Sequence, residues 1–528
     1  MPWRWPVSAA VRAAAGMLAL ASALGVFGAA SLGRGQSPLP AIDDARAAAA
    51  GIRKLPGRRL TLYTDVAGAE IDVLPAVFEQ AFPQWCAYFH VDPRDHADWH
   101  MTGCLIKDKK RFAAAGLLPD FLPPFENGYT HGRRLWLYEQ PSAYYRRHLL
   151  LHEGTHGFMF SMLGSCGPFW YMEGMAEYQA THRWRSGRLT LRYMPKSREE
   201  SEEWGRVRII QDAVKARKAL RLSAVVDSTA TGEGDTASYA WRWAAVTLLD
   251  RHPRYQQRFR QLYQYVNTPD FNQRFYKLFR DDWQPLCEEW QLMVVNLEYG
   301  YDVARNAVDF TPGSPLPLAQ GTRHSESRLP LGEGPGRSVS PLPLGEGLGV
   351  RANSAITGSA PPSLPQATLA VAADRGWQNS GLELEAGVTY QLTASGRYQI
   401  AKQPKPAASQ AAAERGLSQF SRQEAARMGL SPSAPPSARE GTIWWCEPGG
   451  VTIRYYRGHP LGILLAAVRP DHPKPGSTTA LLHSTVIGLA AKLTPKQSGT
   501  LYLKVNDSAG ELDDNAGELR VQFQPRPR

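Results

Sequence analysis

Apolar residues follow two different periods along residues 58–305. Some segments alternate apolar and polar residues as strands do, and others repeat apolar residues at the spacing of a helix. The predicted strands are 59–64, 99–106 and 134–138, and the predicted helices are 70–90, 202–219, 239–250, 253–266 and 283–301. Strands followed by helices, around an antiparallel or mixed sheet, predict an α+β domain.

Residues 366–528 consist of many short alternating segments separated by polar turns. This pattern is typical of an all-β sandwich. The predicted strands are 368–372, 381–385, 390–394, 451–456, 461–468, 499–505 and 518–523. An insertion rich in Ala, Ser and Pro, residues 403–440, interrupts this second domain.

Residues 306–365 lie between the two predicted domains and contain an internal repeat. The tripeptide Leu-Pro-Leu begins at Leu316, Leu329 and Leu342. Proline and glycine at this density oppose packed helix or sheet. We therefore expect a linker without chemistry of its own.

The N-terminus has the features of an export signal. Arg4 and Arg12 precede an apolar run over residues 13–30, which predicts a signal peptide at 1–30. The run is also near the length of a spanning helix, so an uncleaved membrane anchor is the alternative. Residues 31–57 are predicted to be a tether. The chain is expected to be periplasmic, at the cell surface or secreted, in contact with a membrane only if this segment is uncleaved.

Composition narrows the classes of function. The formal net charge is +11, but the basic residues are not gathered on a recognisable module, so a nucleic-acid partner is not expected. The five cysteines fit an exported protein with few disulfides. None of them forms a Cys-x-x-Cys pair, which argues against a zinc–thiolate site.

The segment His-Glu-Gly-Thr-His at 152–156 carries the strongest chemical signal. On a helix that Ser142 can cap, His152 and His156 share one face and can reach a single metal, with Glu153 beside it. A catalytic zinc also needs a third protein ligand. Glu173 and Glu177, one helical turn apart in the segment 170–178, are the candidates.

H-E-x-x-H followed by W-x-x-E-G-x-A-E-Y resembles the gluzincin metallopeptidases, the group of thermolysin and the aminopeptidase N type. The resemblance implies that His152, His156 and Glu173 bind zinc and that Glu153 activates the water. It also implies that Glu177 orients a ligand imidazole. The aminopeptidase motif G-x-M-E-N is not matched by Gly-Tyr-Thr-His-Gly at 128–132, which favours an endopeptidase.

The same resemblance implies two further features. Gluzincins place the strand before the zinc helix at the sheet edge, where an extended substrate pairs, and here this is segment 134–138. They also place a tyrosine, here Tyr239, where it can stabilise the developing oxyanion. Tyr239 as a mere core aromatic is the alternative. His148 is expected to flank the site, and Arg206 and Arg208 are candidate substrate contacts.

The last predicted hairpin, residues 506–517, is crowded with oxygen donors and glycines, as a calcium site requires. With Gly-Trp-Gln-Asn-Ser-Gly at 376–381 it resembles the PA-I type calcium-dependent galactose-binding lectin, whose motif is N-D-x-x-G-x-x-x-N-N-x-G. The resemblance implies calcium ligands and a glycan partner, although Glu511 replaces a Thr and Asp514 an Asn of that motif. A solvated acidic turn is the alternative. The implied ligands are Asp507, Glu511, Asp514 and Asn515.

The sequence thus predicts an exported zinc metallopeptidase that acts on peptides or proteins. Its gluzincin-like α+β domain precedes an accessory all-β domain that binds calcium and glycan. The alternative is a catalytically inactive carbohydrate-binding protein at the cell surface.

Overall fold

The computed structural model describes residues 39, 41–229, 236–315, 367–402 and 443–525. These residues form a mixed α/β unit followed by an all-β unit. The predicted signal segment, the Leu-Pro-Leu repeats and the insertion at 403–440 lie outside the described residues. None of the helices within the described ranges combines the length and apolar character that a membrane crossing requires.

A five-stranded sheet in the order β1-β2-β3-β5-β4 forms one layer of the first unit. Strands β2, β3 and β5 are parallel, and β1 and β4 run antiparallel at the two edges. The sheet is therefore mixed. The strands of this unit, including a separate β6–β7 hairpin, are β1 (Arg53–Leu55), β2 (Leu60–Thr64), β3 (Met101–Ile106), β4 (Gly128–His131), β5 (Arg134–Tyr138), β6 (His182–Arg185) and β7 (Arg188–Leu191).

Strand β4, and not β5, lies at this edge of the sheet, so the expectation that segment 134–138 lies at the edge is wrong. Strand β5 is covered on both sides, by β3 and by β4. Each residue of β4 is half-buried, and its short sequence lacks the alternation of buried and exposed positions that reveals a strand. A strand of this kind can be identified only from its pairing with a neighbouring strand, and not from its own sequence.

Helices cover the sheet and continue after it, and α5, α6 and α9 pack together around the motif residues. The helices are α1 (Asp44–Ala49), α2 (Ala69–Asp72), α3 (Leu74–Phe89), α4 (Lys109–Ala114), α5 (Ala143–Leu163), α6 (Phe169–Ala180), α7 (Arg206–Lys215), α8 (Leu222–Val226), α9 (Thr236–Arg251), α10 (Gln256–Arg260), α11 (Phe271–Leu278), α12 (Trp283–Asn296) and α13 (Val303–Asn306). Helix α1 and strand β1 fall within the predicted tether, so ordered structure begins earlier than expected.

Helix α5 carries the His-Glu-Gly-Thr-His segment through the interior. It begins as predicted, since the Ser142 hydroxyl accepts a hydrogen bond from the backbone N–H of Tyr145 at 3.0 Å. Glycine at 154 lets α3 approach closely, because a Cβ there would lie 2.5 Å from the ring of Phe78. The motif residues are consequently buried rather than displayed on a surface helix.

The second unit consists mainly of two facing sheets. Their orders are β17-β16-β19-β10-β8 and β18-β11-β20-β9, and one apolar cluster takes residues from both, among them Leu503 and Val521. The strands are β8 (Ser314–Pro315), β9 (Ala367–Ala372), β10 (Gln378–Leu384), β11 (Tyr390–Ser395), β12 (Tyr398–Lys402), β13 (Ile443–Cys446), β14 (Val451–Tyr456), β15 (His459–Leu461), β16 (Leu464–Arg469), β17 (Thr485–Val486), β18 (Ala490–Leu493), β19 (Gly499–Val505) and β20 (Glu518–Pro525).

The start of the predicted linker is packed between the two units. Val308 and Phe310 are buried in a cluster with Leu292 of α12 and Tyr502 of β19. Strand β8 then pairs in parallel with β10. The described part of segment 306–365 therefore belongs to the folded body, because its apolar side chains find partners in both units.

The five cysteines all lie in the described residues, and each carries an unpaired thiol. Cys86, Cys104, Cys166 and Cys446 are buried. Burial raises the pKa of Cys86 to about 11 and that of Cys104 to about 12. These thiols behave as small apolar residues of the core.

Candidate metal centre

Helices α5 and α6 bring three predicted ligands together. The Nε2 atoms of His152 and His156, one turn apart on α5, lie 3.2 Å from each other. Glu173 on α6 places Oε2 at 3.2 Å from the Nε2 of His152 and 3.6 Å from that of His156. All three side chains are buried. The sequence spacing therefore yields a compact N,N,O set.

The spacing of these atoms fits one zinc ion. Bonds from zinc to imidazole nitrogen and carboxylate oxygen are about 2.0–2.2 Å, which separates ligand atoms of a tetrahedral site by roughly 3.3–3.6 Å. Oε2 of Glu173 is buried and has no hydrogen-bond partner within the described residues. Burial acts to raise the pKa of Glu173, but His156 and His152 outweigh it and bring this pKa to about 2. The donor set thus offers an ionised carboxylate to a cation.

Glu177 faces the His152 imidazole from the side opposite to Glu173. Its Oε1 lies 3.5 Å from Nδ1 of His152, and its Oε2 lies 3.3 Å from Nε2 of His148. His148, His152 and Glu177 are the second group of potential metal ligands that converge among the described residues. Arg206 already occupies both carboxylate oxygens of Glu177, at 2.9 and 3.0 Å. This pairing favours Glu173 as the ligand and Glu177 as the group that orients His152.

Arg206 therefore does not have the expected role of a substrate contact. Its side chain is buried beneath the site and forms a bidentate ion pair with Glu177. Burial acts to raise the pKa of Glu177, but Arg206 and His148 outweigh it and hold this pKa well below its usual range. Arg208 is exposed at the surface and pairs with Asp212 at 3.6 Å. No local sequence pattern distinguishes the two arginines, which are both on α7.

We expect Arg206→Met to weaken zinc binding by about 10–100-fold, the usual effect of losing a group that orients a metal ligand. The substitution leaves Glu177 as a buried charge without its guanidinium, and Glu177 then draws His152 away from the ligand position. Competition with a zinc-chelating dye measures the affinity. The matched control is Arg208→Met, which removes the same charge from the same helix but from an exposed pair. Equal zinc affinities in the two variants would contradict the role of Arg206.

Glu153 is held beside the candidate metal ligands by strand β4. The Thr130 hydroxyl donates to Oε2 of Glu153 at 2.7 Å. Gly128 leaves room for this carboxylate, since a Cβ there would lie 2.6 Å from Oε1 of Glu153. These contacts fix the carboxylate between the helix and the edge strand. No local pattern in segment 128–132 indicates either contact, because the segment differs from the motif G-x-M-E-N.

Tyr239, at the start of α9, also reaches the site. Its ring centroid lies 6.1 Å from that of His152 in an edge-to-face arrangement. Burial, and then the charges of Glu173, Glu177 and Glu153, raise the pKa of its phenol. The hydroxyl is thus held in its protonated, hydrogen-bond-donating form. His148 stacks between Tyr144 and Tyr145, so it flanks the site from within α5.

The predicted calcium turn has a different geometry. Asp507 is buried and accepts hydrogen bonds from the amide of Asn515 at 2.8 Å and the backbone N–H of Ser508 at 2.7 Å. Oδ1 of Asp514 and Oδ1 of Asn515 are buried without a partner within the described residues. Glu511 is exposed. Three carboxylates of this turn do not meet within 4.8 Å, unlike the ligand atoms of the two groups in the first unit.

No protein-family model matches the chain, and no curated protein matches it. Among solved structures, it is similar to one described as "EclA N-terminal domain; PllA-like lectin". The sequence identity is 18%, the match covers 30% of this chain and 95% of that chain, and the TM-score is 0.17. A TM-score of this size supports no conclusion about fold or function.

Proposed function

We propose that the chain is an exported, zinc-dependent metallopeptidase that cleaves internal bonds of peptides or proteins. The observation that carries the proposal is the convergence of three ligand atoms from His152, His156 and Glu173, 3.2–3.6 Å apart, with Glu153 beside them. A zinc ion there supplies a Lewis acid that polarises a carbonyl and lowers the pKa of water.

Side chains of the protein perform the remaining steps of the reaction. Glu153, steadied by Thr130, accepts a proton from the attacking water and delivers it to the leaving amine nitrogen. Tyr239 donates a hydrogen bond to the carbonyl oxygen as negative charge develops on it. Glu177 and Arg206 hold the imidazole of His152 in orientation.

The outer edge of β4 provides a place for the substrate. Among the described residues this strand pairs only with β5, so its other side offers backbone hydrogen-bonding groups to an extended peptide. The edge passes directly beside Glu153, since the Thr130 hydroxyl donates to that carboxylate and a Cβ at Gly128 would collide with it. A peptide that pairs along β4 would present its backbone to the base, which suits cleavage within a chain.

Removal and return of the metal tests this function. We expect a chelator to abolish hydrolysis of quenched fluorescent peptides by the full chain, and stoichiometric zinc to restore it. Magnesium serves as the control, because it prefers oxygen ligands in an octahedral arrangement. Hydrolysis that persists after complete zinc removal would contradict the proposal, and it would direct attention to a different reaction.

The all-β unit has a second candidate function, the binding of calcium and then of glycan. The buried, unpartnered Oδ1 atoms of Asp514 and Asn515 favour it, since unsatisfied buried acceptors are costly without a donor or cation. Calcium titration by calorimetry, compared between the wild type and Asn515→Ala, tests the site. Retention on a galactose column that depends on calcium tests the glycan. Calcium binding that is equal in both proteins would reject this assignment.

A further inference from the structure

An open groove lies on another face of α6 from the candidate metal ligands. Tyr178, which lines it, directly follows Glu177 and so points about 100° away round the helix. Asp250, at the far end of α9, is roughly 16 Å along that helix from Tyr239. The charged residues that line the groove are Arg192, Asp250, Arg251 and Arg260, and Tyr178, Thr190 and Tyr193 are its other polar residues.

The single carboxylate of the groove is already satisfied. Asp250 accepts hydrogen bonds from the hydroxyls of Tyr88 at 2.8 Å and Tyr178 at 2.6 Å. Arg260 binds both of its oxygens, at 2.7 and 3.1 Å. The negative charge of Asp250 is therefore matched by one guanidinium, and it has no capacity left for the others.

Among the described residues, two further guanidiniums of the groove have only neutral partners. Arg192 donates to the amide oxygen of Gln179 at 2.8 Å, and its guanidinium lies over the ring of Tyr88 at 5.0 Å. Arg251 donates to the backbone oxygen of Arg192. Within the described residues, neither has a carboxylate oxygen inside 4.0 Å, whereas Arg260 does. The groove therefore has an excess of two positive charges.

The backbone of Arg192 has a conformation that few residue types adopt. Arg192 has a φ of 55°, in the left-handed region that a non-glycine residue rarely adopts. Arg260 lies over the same Tyr88 ring as Arg192, at 5.5 Å. Like charges gathered in this way repel each other, and an anion between them would remove that cost. Guanidiniums in a fixed orientation suit a planar or tetrahedral oxyanion, which they can bind with paired hydrogen bonds.

We propose that this groove binds an oxyanion, a carboxylate or phosphate group, through Arg192 and Arg251. The group is either an acidic side chain of a polypeptide or a free phosphate-like anion. The first source would make the groove a second contact for an acidic substrate, and that reading alone rests on the proposed peptidase function.

Calorimetric titration of the full chain with inorganic phosphate, and separately with a short Asp-Gly repeat peptide, tests the proposal. The peptide arm uses the Glu153→Gln background so that any hydrolysis does not consume the ligand. We expect saturable binding that weakens as salt rises, and a loss of at least about tenfold in affinity in the double variant Arg192→Gln, Arg251→Gln. The matched control is Arg185→Gln, Arg188→Gln, which removes the same charge from the exposed β6–β7 turn and should bind as the wild type does.

The outcomes separate the two sources. Binding of the peptide alone identifies a polypeptide ligand, and binding of phosphate alone identifies a free anion. Each would support the groove as an oxyanion site, whether or not the chain hydrolyses peptides. Absence of saturable binding by the wild type, or equal affinity in the groove variant and the control, would overturn the proposal. Arg251→Gln alone, which removes one donor to a backbone carbonyl, gives the same readout if the double variant does not fold.

Discussion

Replacing Glu153 with Gln is expected to leave zinc bound and to lower the rate of peptide hydrolysis by about 10²–10⁴-fold. This is the usual contribution of a positioned general base. Gln has nearly the same shape as Glu and can still accept the hydrogen bond that Thr130 donates at 2.7 Å, but it cannot take a proton from water at neutral pH. Because the three ligands are untouched, kcat should fall while the zinc content stays the same.

The control for this prediction is Glu518→Gln, an exposed position on β20 of the other unit, which makes the identical chemical change and should keep full activity. Zinc content and kcat are measured on the same preparations. If Glu153→Gln retained wild-type kcat with zinc bound, Glu153 would not be the base. If it lost zinc instead, the carboxylate would be supporting the metal rather than the proton transfer.

The second large effect is expected at the junction of the two units. Arg469 of β16 and Glu288 of α12 form a bidentate ion pair at 2.8 and 2.9 Å, and both side chains are almost completely buried. The hydroxyl of Thr479 donates to the same carboxylate at 2.7 Å. Arg469→Ala removes the cation and leaves the carboxylate of Glu288 buried without its charge partner. We expect the free energy of unfolding to fall by about 3–5 kcal/mol.

Lys196→Ala is the matched control, because the Lys196–Asp513 pair joins the same two units but is solvent-exposed. An exposed pair contributes about 0–1 kcal/mol. Urea unfolding followed by tryptophan fluorescence measures both variants. If Arg469→Ala were as stable as Lys196→Ala, the buried pair would not hold the units together.

The same reasoning predicts that the first unit cut off at residue 305 is unstable, since it loses Glu288's partner and the apolar contacts of Leu292.

The sequence predicts a structural feature well when the residues that form it are close together along the chain. His152, His156, Glu173 and the cap at Ser142 lie on neighbouring helices, and each follows from a short pattern. The order of a mixed α/β unit and an all-β unit follows from two hydrophobic periods. These are local signals, which a single sequence carries well.

The parts that were missed depend on distant contacts. Thr130 and Gly128 bear on Glu153 only because β4 pairs beside β5, and Arg206 reaches Glu177 only because α7 packs beneath the site. No local sequence pattern around these residues predicts the contact. Val308 and Phe310 fall within the predicted linker for a similar reason, since the partners that bury them come from both units. Burial of this kind is a property of the assembled fold rather than of the segment.

Elemental mass spectrometry of the purified full chain tests most directly whether His152, His156 and Glu173 hold a zinc ion. The full chain is required because the two units share a buried cluster. We predict about one zinc per wild-type chain, lost in His156→Ala and retained in His100→Ala, a partly buried histidine of the same unit that bonds to Thr61. A wild-type chain that takes up no zinc even after supplementation, or a His156→Ala chain that keeps it, would contradict the account.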